Sequence, residues 1–371
     1  MVTTTKTKEW YLRYPLEDPM HKTALCEIKD EKDFLPENSS VFQPVTARVA
    51  AALSMSAADE KLLKENLRAL GFGDIVTLAY GEGDRDKIGM CIASRVTGDQ
   101  LQIAVVLRGT CGEEWYSNFE IGYSAEHSGF ARAADFAELR LADYVFTRAI
   151  CIQPRFFITG YSRGGAVANI LAKRLCDRYG LDFVSAYTFA APSTTISRRT
   201  NRYSSIFNIV RGEDFFTRVP LESWGYTKYG KTISLSDHGD MIANYRKLTG
   251  EDYIGFTRQR LVDNFLCTMQ GLAPNVHAYY RRRRQVGERQ LSMYEFLTCV
   301  ADMLSQHMDD AVADVFFSAM FSDYAELISF LSSGADLAEI VSSAAAVPRC
   351  SVADSHSPAA YMASLELFLP Q

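Results

Sequence analysis

The sequence predicts an α/β fold, a mostly parallel sheet covered by helices on both faces. Two observations carry this reading. Short apolar runs alternate with helically spaced segments through the middle of the chain, and the central run, Arg155 to Thr159, is apolar without alternation, as a strand buried on both faces must be. A length of 371 residues with 47% hydrophobic content exceeds what one compact domain usually needs, so either two domains or one domain with a large insertion is expected.

The elements follow in order. Residues 1–45 carry Pro15, Pro19, Pro36 and Pro44 among polar residues and are expected to form an accessory segment draped over the domain. Ala47 to Gly71 places Leu53, Leu63, Leu67 and Leu70 at helical spacing, with Gly71 as the stop. Two apolar runs, Ile88 to Arg95 and Leu101 to Leu107, flank the turn Thr97-Gly98-Asp99 and read as a hairpin. Helical spacing over Ala131 to Ile150 comes next, then the buried strand, a helix from Gly165 to Tyr179, and strands over Phe183 to Phe189 and Ser205 to Val210. Past Leu235 the alternation ends. Residues 240–346 show helical spacing only, and the chain closes with a short helix from Pro358 to Phe368. The expected division is therefore 1–45, then 46–239 with 347–371 as the α/β unit, and 240–346 as a helical insertion placed to act as a cap or lid.

A net charge of −6 offers no basic field for phosphates, so no nucleic-acid partner is expected. The N-terminus lacks the apolar stretch of a secretory signal and no window reaches membrane-spanning length, which makes the cytoplasm the expected location. The eight cysteines are scattered without metal-ligand spacing and read as free thiols; no metal site is expected.

Chemistry concentrates at Gly160-Tyr161-Ser162-Arg163-Gly164. A G-x-S-x-G match has weight only in context, and here it follows an apolar strand and opens a helix, the setting of a nucleophile elbow in an α/β-hydrolase fold. Ser162 is the expected nucleophile. A serine hydroxyl needs a histidine to take its proton and a carboxylate to orient that histidine, in the chain order Ser, acid, His. Asp214 fits as the acid because it follows an apolar strand, which puts it on the sheet edge that carries Ser162; Asp182, Asp237 and Asp240 look like loop or cap residues. Among the histidines after Ser162, His307 lies in a helical run and His238 in a polar loop. His356 precedes the last helix and is favoured, whereas spacing alone leaves His277 open.

Several segments together resemble the lipase class 3 family of fungal and plant triacylglycerol lipases and their bacterial relatives. They are Val106 to Thr110 with Trp115 and Asn118, His127 to Phe130, Gly160 to Gly165, Thr188 to Pro192, Asn208 to Asp214 with Val219 and Pro220, and His356 with Tyr361. The resemblance implies an α/β-hydrolase fold and a cofactor-free acyl transfer through Ser162, His356 and Asp214. It further implies that Thr110 and Arg163 supply the oxyanion N–H groups, with the Thr110 hydroxyl as an additional donor. The expected substrate is a lipid ester, reached through transient contact with a membrane or lipid interface; a non-lipid esterase, thioesterase or acyltransferase would use the same triad. A non-catalytic binding protein on the same fold is the alternative from another class. The family often has His and Leu where this chain has Tyr161 and Arg163, and Arg163 is expected to tune the acyl or head group accepted. His127 precedes Ser162 and is expected to be structural.

Overall fold

The computed structural model describes residues 10–16, 23–28, 34–81, 84, 86–111, 114–118, 124–148, 152–218, 220, 225–235, 239–253 and 356–368. Its centre is a seven-stranded sheet of β3 (Gly73–Leu78), β4 (Met90–Thr97), β5 (Gln100–Leu107), β6 (Pro154–Tyr161), β7 (Val184–Phe189), β8 (Ile206–Arg211) and β9 (Lys231–Leu235), lying in that spatial order. The first pairings are antiparallel and those from β5 to β9 are parallel. This is the mostly parallel sheet that the alternation predicts, in the α/β-hydrolase arrangement that the elbow motif and the resemblance imply. The Gly98 turn joins β4 to β5 with a φ of +61°, a conformation that favours glycine.

Strand residues alternate between two apolar layers. Met90, Ile92, Ile103, Val105, Phe156 and Ile158 pack against helices α4 (Ser128–Arg148) and α5 (Arg163–Tyr179). Cys91, Ala93, Ala104, Val106 and Phe157 face the other layer, built from α1 (Pro44–Ser56), α2 (Glu60–Ala69), α6 (Asp240–Thr249) and α7 (Pro358–Leu365). A sheet buried on both sides explains why Arg155 to Thr159 lacks alternation. α3 (Glu114–Ser117) is a single turn in the β5–α4 connection.

Differences from the sequence reading are local. The leading segment contributes to the core: β1 (Trp10–Pro15) pairs with β2 (Thr23–Ile28), and Leu12, Tyr14, Cys26 and Phe34 are buried in the α1 layer. β3 and β9 were not legible because both are edge strands with several exposed or half-buried residues and little hydrophobic signal. The expected helical insertion begins as α6, while its residues 254–346 lie outside the described residues. Among the described residues no helix is long and apolar enough to cross a membrane.

Candidate active site

The parallel strands direct the ends of β5, β6 and β8 to one edge, where the candidate residues gather. Ser162 joins β6 to α5 at φ 54° and ψ −123°, a conformation that costs a residue with a side chain of order 1–3 kcal/mol. Its neighbours hold it there: the Ser162 N–H donates to the Phe189 carbonyl at 2.9 Å, and the Ser162 carbonyl accepts from the Ala166 N–H at 3.0 Å. Close approach requires the flanking glycines. A Cβ on Gly160 would lie 2.3 Å from the Gly164 carbonyl oxygen, and one on Gly164 would lie 2.3 Å from that of Leu107.

Asp214 and His356 reach Ser162 from opposite ends of the remaining chain. Ser357 caps α7 by accepting from the Ala360 N–H at 3.1 Å, and Pro358 opens the helix, which fixes the direction in which His356 enters. His356 Nε2 lies 3.0 Å from Ser162 Oγ, and Nδ1 lies 2.9 and 2.8 Å from the two Asp214 oxygens. The buried Asp214 carboxylate also accepts from the Tyr361 hydroxyl at 2.6 Å and the Phe216 N–H at 3.2 Å. Tyr161 donates its hydroxyl to the His356 carbonyl at 2.7 Å. Burial, and then the Asp214 charge, push both tyrosines well above the ordinary phenol range, so they remain protonated donors.

The loop after β5 forms the other wall. It runs beside the elbow, since a Cβ on Gly109 would sit 3.6 Å from the Tyr161 carbonyl oxygen. Glu114 organises this loop by accepting from Arg108 at 2.7 Å and from the Cys111 N–H at 2.9 Å. Asn118 donates its amide to Thr110 Oγ1 at 3.0 Å and accepts from Arg163 at 2.8 Å. Burial pushes the Glu114 carboxyl up, opposed by the Arg108 and Arg163 charges. Burial pulls the Arg163 guanidinium down to about 10, which leaves it charged near neutrality.

Arg163 therefore departs from the expectation that it tunes acyl or head-group choice. Its side chain is buried, and its guanidinium turns to Asn118, Glu114 and the Lys87 carbonyl. The signal missed in the sequence was Glu114, an acid close in space to two arginines but distant from one of them along the chain. His127 is buried against Phe130 with ring centroids 4.0 Å apart, and burial, then the Arg163 charge, hold it down to about 3. It is neutral at ordinary pH and fits a packing role. His238, His277 and His307 lie outside the described residues.

A family model described as lipase (class 3) matches residues 105–224. Over that segment the chain is similar to the class 3 lipase family. The match supports a carboxylic ester hydrolase. The matched segment contains Thr110, Ser162, Arg163 and Asp214 and ends before His356. Comparison with curated protein sequences gives no match. Among solved structures, the chain is similar to the Rhizomucor miehei lipase propeptide complex at 17% identity, covering 52% of this chain and 68% of that one, with a TM-score of 0.42. It is also similar to lipase II from Rhizopus niveus at 17% identity, 52% and 80% coverage and a TM-score of 0.41. A lipase from Rhizopus microsporus var. chinensis matches at 16% identity, with 57% and 82% coverage and a TM-score of 0.41.

Proposed function

We propose that Ser162, His356 and Asp214 act as a catalytic triad that hydrolyses lipid esters through an acyl-enzyme. The observation that carries this is the continuous set of contacts from Ser162 Oγ through both ring nitrogens of His356 to a buried carboxylate. Ser162 Oγ attacks the ester carbonyl while its proton passes to His356 Nε2. Asp214 holds Nδ1–H and stabilises the imidazolium. Negative charge on the carbonyl oxygen meets N–H groups of Thr110 and Arg163, with the Thr110 hydroxyl as a further donor. His356 then protonates the departing alcohol. Water, deprotonated by the same nitrogen, attacks the acyl-enzyme and releases the acid. These steps use only this chain's residues and water.

The lipid interface belongs to the same proposal: an acyl chain long enough to serve as substrate partitions from water, so the enzyme must meet it at a lipid surface. Phe316 to Phe321 and Leu327 to Leu331, in the expected helical insertion, offer apolar residues for such contact and lie outside the described residues.

Hydrolysis of an ester panel graded in acyl length tests the proposal, using Ser162→Ala, His356→Ala and His277→Ala. Loss of roughly a million-fold in kcat is expected for the first two. Activity should rise with acyl length in the unaltered enzyme, and His277→Ala should remain active. Full activity in His356→Ala with loss in His277→Ala would overturn the choice of base.

A further inference from the structure

The residue after the nucleophile carries a charge into the interior. Burying a guanidinium is unfavourable unless its N–H groups meet acceptors, and the acceptors of Arg163 tie it to the oxyanion loop and its surroundings. It donates to Asn118 Oδ1 at 2.8 Å and to the Lys87 carbonyl at 3.3 Å, and its Nε lies 3.8 Å from Glu114 Oε2. A guanidinium has donors only, so the Asn118 amide must turn its oxygen toward Arg163. That orientation leaves Nδ2 facing Thr110 Oγ1, 3.0 Å away. With a lone pair of Thr110 occupied by this donor, the hydroxyl proton is directed to a different acceptor. Glu114 fixes the same loop independently through Arg108 and the Cys111 N–H.

We infer that Arg163 is a positioning residue for the oxyanion donor: by setting the Asn118 amide it presents the Thr110 hydroxyl proton to the oxygen on which negative charge develops. The inference rests on Ser162 being the nucleophile. No proton is transferred by Arg163, Asn118 or Thr110; the effect is one of orientation. A hydrogen bond made to the oxyanion, and not to the ground-state carbonyl, changes kcat and leaves KM alone.

The experiment measures kcat and KM with p-nitrophenyl butyrate for Arg163→Leu, Arg163→Lys and Asn118→Leu, each in the Thr110 and Thr110→Val backgrounds. Ser162→Ala is the control. Arg163→Lys keeps a charge opposite Glu114 but lacks the rigid fork, and Asn118→Leu leaves the Arg163–Glu114 pair in place, so either serves if Arg163→Leu does not fold. Thr110→Val and Asn118→Leu should each lower kcat on the order of 10²-fold with little change in KM, the size of losing one oxyanion donor. Arg163→Leu should match them, and Arg163→Lys should show roughly a tenfold loss because the fork geometry is weakened, not abolished. In the Thr110→Val background none of these substitutions should lower kcat further. Equal losses in both backgrounds, or unchanged kcat in the Arg163 variants, overturn the inference. Hydrolysis that persists in Ser162→Ala overturns the underlying reading as well, whereas loss in Ser162→Ala beside full activity in the Arg163 variants overturns the inference alone.

Discussion

The two halves of the site are built from different materials. Around the oxyanion loop, Arg108, Glu114 and Arg163 bury formal charges, and hydrogen bonds carry their order to Cys111 and Asn118. Around Asp214 and His356 the neighbours are the neutral rings of Tyr161, Phe216 and Tyr361, two of which donate hydroxyls. The buried Arg211 nearby donates to Tyr253 at 2.7 Å and faces Glu213 at 3.8 Å. In the proposed mechanism the charged half orders the donors that face the developing oxyanion, and the neutral half holds the Asp214–His356 pair. On that proposal one sheet edge serves both tasks.

Tyr361→Phe tests the neutral half with the larger expected effect. It removes a 2.6 Å hydrogen bond to a buried carboxylate. Such bonds to charged groups contribute about 1.5–3 kcal/mol, so kcat for ester hydrolysis should fall on the order of tenfold to a hundredfold with KM little changed. Unchanged kcat would mean that Asp214 needs no donor besides Phe216 and His356, and the contrast between the halves would weaken.

A smaller effect is expected on the charged side, at His127. Its ordinary value of 6.5 is lowered to about 3 in the fold by burial and then by the Arg163 charge. On acidification the unfolded chain takes up this proton first, so the stability associated with a neutral His127 is complete above pH 6.5 and is lost as the pH falls toward 3. His127→Gln should therefore flatten the decline of denaturation midpoint across that window. An unaltered slope would show that other groups govern acid unfolding.

Much of the nucleophile half was legible because its rules are local. Glycine spacing, an apolar strand and a following helix lie within a short stretch from Arg155 to Tyr179, and the structure joins them as β6, the elbow and α5. The acid–base half required a contact between residues 142 apart, His356 and Asp214, which chain order and resemblance suggested but periodicity could not supply. Glu114 escaped notice for a related reason. Its pairing with Arg108 is close in sequence, yet its approach to Arg163 exists only once β5 and β6 lie side by side. The leading segment was underrated because its prolines and polar residues outweighed Leu12, Tyr14 and Phe34, whose burial depends on α1 arriving later in the chain.

Mapping the adduct of a fluorophosphonate ester by peptide sequencing addresses the central claim most directly, because the reagent reports the activated nucleophile and not merely an accessible hydroxyl. The triad predicts one adduct, on Ser162, formed rapidly in the folded protein, absent after denaturation and greatly slowed in His356→Ala. An adduct on another residue, or one on Ser162 that forms equally fast in His356→Ala, would contradict it.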